Sequence, residues 1–268
     1  MVPPSFQDVL SVVGSPAEKR EPVTRPGCRI LARDEIEQIL AMHLLYLATE
    51  RREGRRADLG SADLSGMNFA GLNLRRVKMD RAVLAGADFT RACLARANLI
   101  GAILRQARLD GADLSSARLS GANLASASLE NACLSQADME FSLAMGAILR
   151  GACLRAADMS GAILDAAALT RADLREVNLR GASLRDAQLD QTDLRRARLG
   201  GAFLVGASLR GATLRGAYLR LATLDGADLS GADLRDAEGL TQAQLDRARC
   251  DAGTKLPDGL TEARDGKG

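Results

Sequence analysis

The chain has 268 residues with 36 Lys and Arg against 34 Asp and Glu, a formal net charge of +2. That balance argues against a nucleic-acid mimic, which needs a large negative excess, and against a nucleic-acid binder, which needs a positive one. No stretch is long and apolar enough to cross a bilayer, and with a single histidine and five cysteines set without metal-ligand spacing, no metal site assembles from the sequence.

Residues 1–30 hold Pro3, Pro4, Pro16, Pro22 and Pro26, which discourage regular structure, and are predicted to be a disordered lead. They lack the early positive charge of a signal peptide, so a cytoplasmic protein is expected. Residues 31–56 carry an amphipathic capping helix over about 35–52: Asp34 and Glu37 make a capping-box-like start, and Ile36, Ile39, Leu40, His43, Leu44 and Leu47 recur at helical spacing. Arg51 and Arg52 suit its C-terminus and Gly54 its stop. His43 lies on the apolar stripe, so it reads as a packed residue rather than as a base or ligand.

From Ala57 to Asp236 the chain is written in thirty-six five-residue words in one frame, the first position being Ala in thirty and the third Leu in thirty. A period of five fits neither the 3.6 of a helix nor the 2 of a strand, so the chain must bend in every word. First and third positions point to one side of a short extended piece, and the last two carry the chain round a corner, where Gly66, Gly86, Gly111 and Gly121 supply backbone freedom. One word cannot bury its Leu alone, so coils must stack.

Words such as Ala-Asp-Leu-Ser-Gly resemble the pentapeptide repeat proteins. The resemblance implies an all-β solenoid, a right-handed quadrilateral parallel β-helix with four words per coil and about nine coils, closed by an N-terminal and a short C-terminal capping helix. It further implies that first and third positions face inward, with Phe69 stacked on Phe89 one coil later. The run Phe141 to Gly146 places Ala144 inside and Leu143 and Met145 outside if the frame holds; a one-residue bulge would turn Leu143 inward, and both remain open. Residues 237–260 form a C-terminal cap with a short helix of about 242–249, begun by a Thr241/Gln244 capping box and a Leu240/Leu245 staple; 261–268 are a frayed tail.

Function has to be written on the outside of the stack, where every twentieth residue lines up. Val83, Ile103, Leu143, Ile163 and Phe203, with Met145 and Val205 beside them, form an apolar row that predicts a protein contact, with a foreign protein and a second copy both open. Arg155, Arg175, Arg195, Arg215 and Arg235 form a candidate anion-contact ladder, with Asp173, Asp193 and Asp233 two residues before three of them. Cys133 and Cys153 fall on adjacent coils as small filler. The leading expectation is a non-catalytic scaffold that engages a protein partner through a face of a rod-like β-helix, with no cofactor, no metal, no membrane and no nucleic acid. The alternatives are a DNA-mimicking topoisomerase (gyrase) modulator or quinolone-protection protein, against which the 22 basic and 20 acidic residues of 57–236 count, and anion or nucleic-acid binding through the Arg ladder.

Overall fold

Each word spends its backbone hydrogen bonds in one way, and that explains the architecture. In the computed structural model, which describes residues 28–261, the second residue of a word pairs in parallel with the residue twenty positions later, Asp58 with Lys78, Lys78 with Asn98, and so on to Tyr218 with Glu238. The third-position N–H donates to the next coil, as Leu59 does to the Lys78 carbonyl at 2.7 Å, and the second-position N–H donates to the previous one, as Lys78 does to Ala57 at 3.0 Å. The fifth-position N–H also reaches the next coil, Ser61 to Asp80 at 2.8 Å.

That leaves the fourth-position N–H as an orphan donor. A second-position Asp or Asn collects it within the same word: Gly60 donates to Asp58, Ala70 to Asn68 and Thr90 to Asp88. Several words without an Asx there use a carboxylate of the coil before, so that Glu130, Arg185 and Arg210 donate their N–H to Asp110, Asp165 and Asp190. The frequent Asp and Asn of the words are therefore turn chemistry first and surface charge second. The fifth position takes a left-handed conformation in every coil, with φ of 54° even at Phe141 and 62° at Leu221, which is why Gly is favoured there.

First and third positions are almost wholly buried and form one continuous core, within which the Phe69 and Phe89 rings stack with centroids 4.8 Å apart. Each buried Leu contributes about 1.5–3 kcal/mol. The run at 141–146 stays in frame: Ser142 and Ala144 are buried, Leu143 bridges Asn123 and Ile163, and there is no bulge.

The expectation of an all-β solenoid, a quadrilateral parallel β-helix, is corrected. Among the described residues there is no β-strand; the regular elements are two helices, and the repeat region consists of turns and isolated bridges. The physical reason is the length of the word. Only its second residue pairs with a neighbouring coil, and the fourth and fifth have already turned the corner, so no two consecutive residues can join a ladder.

Helix α1 (Arg33–Ala48) sets Ile36, Leu40 and His43 against the first coil. It starts before Asp34, without a side-chain cap, and ends before Arg51 and Arg52. Thr49, Glu50 and Arg51 turn the chain back, and Arg55 donates to the Met42 carbonyl; a Cβ on Gly54 would collide with that oxygen. At the other end α2 (Gln242–Leu245) carries a complete Thr241/Gln244 capping box. The Gln244 Nε2 amide also donates to the Leu219 and Ala222 carbonyls, and Thr254 Oγ1 to Leu229, so that side chains close the last coil. Most of the expected disordered lead, 1–27, and nearly all of the expected frayed tail, 262–268, lie outside the described residues. No helix among the described residues is long and apolar enough to cross a membrane.

Candidate functional site

The four words of a coil give four rows of outward positions, and three of them carry candidate chemistry. The row begun by Leu72 holds the Arg ladder. All five guanidiniums are already met by carboxylates: Arg155 by Glu176 at 3.1 Å, Arg175 by Asp173 at 2.6 Å, Arg195 by Asp193 at 2.6 Å, Arg215 by Asp236 at 2.8 Å and Arg235 by Asp233 at 2.7 Å. The hydrogen bond from Arg175 holds the Asp173 carboxyl below the usual carboxylate range, and Arg235 does the same to Asp233. Arg175, Asp193, Arg195, Thr213 and Arg215 line a shallow open depression. Its charge is compensated, and exposed pairs of this kind contribute only about 0–1 kcal/mol each.

The row begun by Ala62 holds the apolar candidates. Val83 pairs with Ile103 and Leu143 with Ile163, but Asn123 and Ser183 interrupt the sequence before Phe203. Met145 and Phe203 are exposed; Val83, Ile103, Leu143, Ile163 and Val205 are half-buried. The Arg185 guanidinium lies 5.3 Å from the centre of the Phe203 ring. The expectation of a scaffold that engages a protein partner through a face of a rod-like β-helix is therefore corrected. Without strands there is no strand-built face, and the apolar positions form short pairs rather than a continuous strip.

The row begun by Ala57 is not visible as a site in the sequence, because no single residue type repeats along it. Its second positions from coil to coil read Arg118, Asp138, Asp158, Asn178, Arg198, Tyr218 and Glu238, joined by consecutive bridges. Its fourth positions add Glu140, Arg180 and Arg220. Among the described residues none of these charged groups makes an ion pair, in contrast to the Arg ladder. The carboxylates are instead fixed by neutral donors. Ser120 Oγ donates to Asp138 at 2.6 Å; Ser160 Oγ donates to Asp158 at 2.6 Å and the Asn178 amide to the same carboxylate at 3.0 Å. Partial burial pushes the Asp158 carboxyl up, but the Ser160 and Asn178 hydrogen bonds, with the Arg198 charge two coils away, outweigh it and leave it below the usual range. Tyr218 lies over Gly200, where a Cβ would stand 3.1 Å from the ring.

The remaining reactive groups are structural. Nδ1 of buried His43 accepts the Ala57 N–H at 3.1 Å. Burial pushes its pKa down to about 4, against a smaller upward pull from the Arg75 backbone, and the Arg56 charge adds to the lowering. Cys133 and Cys153 are free thiols on adjacent coils, with Ser135 Oγ 3.1 Å from the Cys153 sulfur. No group of three or more His, Cys, Asp or Glu residues that could hold a metal ion occurs among the described residues.

A family model for pentapeptide repeats matches residues 57–94, 92–130, 122–161, 162–201 and 202–238. Among solved structures the chain is similar to HetL, a pentapeptide repeat protein involved in heterocyst differentiation regulation from the cyanobacterium Nostoc sp. strain PCC 7120, at 30% identity over 85% of this chain and 94% of that one, with a TM-score of 0.39. It is also similar to full-length QnrB1, a plasmid-mediated fluoroquinolone resistance protein, at 22% identity over 73% and 92% of the two chains, with a TM-score of 0.31. A pentapeptide repeat protein of the Arabidopsis thaliana thylakoid lumen shares 29% identity over 40% of this chain and 71% of that one, with a TM-score of 0.31. A comparison with curated protein sequences finds no match. With the family model covering 57–238 without a break, and every word of that region folded in the same frame, the chain belongs to the pentapeptide repeat family.

Proposed function

We propose that this protein is a non-catalytic modulator of a DNA topoisomerase, with gyrase the first to test, and that it acts by offering carboxylates where the enzyme would hold duplex phosphates. The observation that carries the reading is the group Asp138, Glu140 and Asp158. These three carboxylates lie in two adjacent coils, are held by Ser120, Ser160 and Asn178, and have no cation in ion-pair contact among the described residues. Adjacent coils lie about 4.8 Å apart, the same order as the roughly 3.4 Å of helix axis that each phosphate of one duplex strand occupies. The balance of 22 basic and 20 acidic residues over 57–236 confines the mimicry to this patch. Such a role implies a cytoplasmic protein.

The test is a gyrase supercoiling and cleavage assay with and without a quinolone. Wild-type protein at micromolar concentration is expected to slow supercoiling or reduce quinolone-stabilised cleavage. The variant Asp138→Asn, Glu140→Gln, Asp158→Asn, which keeps the acceptor oxygens of the turns, is expected to need at least tenfold more protein for the same effect. No effect of wild-type protein at tenfold molar excess over gyrase would overturn the reading.

A further inference from the structure

We infer that the row begun by Ala57 is a self-complementary surface whose occupant is a second copy of this chain, docked antiparallel. The argument is the order of charges along it. Two copies related by a two-fold axis that lies in the contact plane, perpendicular to the stack, meet with second positions over second positions and fourth over fourth, in reversed coil order. With the axis through Asn178, Asp158 of each copy faces Arg198 of the other, Asp138 faces Tyr218, and Arg118 faces Glu238. The fourth positions obey the same register, Glu140 facing Arg220 and Ser160 facing Gly200. These pairings follow from the bridge order alone.

A second observation supports the assignment. Arg118, Arg198, Arg220 and Glu238 are exposed, and none of them has an ion-pair partner within its own chain among the described residues, whereas the five fourth-position guanidiniums of the neighbouring Arg ladder are all paired. Within the chain Arg198 attracts Asp158 from two coils away, but charges segregated along one row without ion pairs remain available to another molecule, and here that molecule's pattern is their own, reversed. Arg180 is the one exception, because it meets its own mate at the centre.

Seven coils at about 4.8 Å, three extended residues wide, give about 300 Å² per copy, below the roughly 800 Å² per partner of a standard stable interface. The association is therefore weak, reversible and salt-sensitive. It stands independently of the topoisomerase reading, since no enzyme enters its test, and where both hold the dimer covers the carboxylates that the enzyme would use.

The experiment is sedimentation of the full chain from about 10 to 500 μM, a range chosen for weak interfaces of this size. In about 50 mM salt a concentration-dependent dimer is expected, weakened at least tenfold in about 500 mM salt. Asp158→Arg alone and Arg198→Glu alone should each abolish it, whereas an equimolar mixture of the two variants should restore it, because both contacts are then of opposite sign. Glu140→Arg and Arg220→Glu provide a second such pair should Asp158→Arg disturb its turn, and thermal melts establish that each variant is folded. Arg180→Gln should tighten the dimer several-fold. A monomer at every concentration in low salt, a dimer indifferent to salt and to both pairs, or a dimer loosened by Arg180→Gln would overturn the inference.

Discussion

Two rows of the same coils carry similar numbers of charges and use them differently. On the row begun by Leu72 an Asp stands two residues before Arg175, Arg195 and Arg235, and each pair closes within its own word. On the row begun by Ala57 the second and fourth positions of a word never carry opposite signs between residues 97 and 220, so the nearest opposite charge lies at least a coil away. Word-level pairing neutralises a surface locally; coil-level segregation leaves it patterned over tens of ångströms. The lesson is that net charge per face says little, because the reach of a guanidinium decides which charges are already satisfied.

The largest effect that could blur this contrast comes from inside the molecule. His43 is neutral in the fold, with a pKa near 4 against 6.5 for the free side chain, so between those values the unfolded chain binds the extra proton and stability falls as pH falls. The contribution is intact above pH 6.5 and gone below pH 4, about 3 kcal/mol in all. Melting curves should show this loss, and His43→Gln should flatten it; an unchanged pH slope in the variant would show that the imidazole is not the titrating group. Comparisons of the two rows therefore belong above pH 6.5.

Next in size is a matched pair of reversals. Arg195→Glu and Arg198→Glu make the same charge change three residues apart, on adjacent rows of one coil. Arg198→Glu is expected to abolish self-association over the concentrations used, a loss of more than about 1.4 kcal/mol, and Arg195→Glu to weaken it less than twofold, both read by sedimentation. Equal effects would reduce the contrast to one of net charge.

The smallest effect sharpens the other side of the comparison. Arg195→Ala removes a guanidinium paired to Asp193, and should cost about 0–1 kcal/mol in urea unfolding and less in high salt. Arg198→Ala, which breaks no ion pair and loses only a longer-range attraction for Asp158, should fall within a few tenths of a kcal/mol of wild type. A larger cost for Arg198 than for Arg195 would reverse the assignment of which row is satisfied.

Much of this architecture was legible because the word is strict. The Leu and Ala positions named the buried set, Phe69 and Phe89 were matched by their spacing of one coil, and Thr241 with Gln244 declared a helix start that the hydrogen bonds bear out. The bounds of α1 were not legible. Asp34 resembles a cap, but the chain enters the helix at Arg33, because contact of Ile36, Leu40 and His43 with the first coil, rather than a side-chain oxygen, fixes where it starts. The candidate residues were read by type, as a row of apolar side chains or of arginines, and that method cannot see a surface whose meaning lies in the order of its signs.

By itself the sequence determined the period, the inward and outward positions and the family, since a five-residue word with two apolar places leaves few ways to bury them. Only the tertiary structure decided that no word is long enough to form a strand, that second-position Asp and Asn serve the orphan fourth-position N–H, and which arginines are already neutralised. Those outcomes depend on distances of a few ångströms between residues twenty positions apart, and a linear sequence fixes the neighbour without fixing the reach of its side chain.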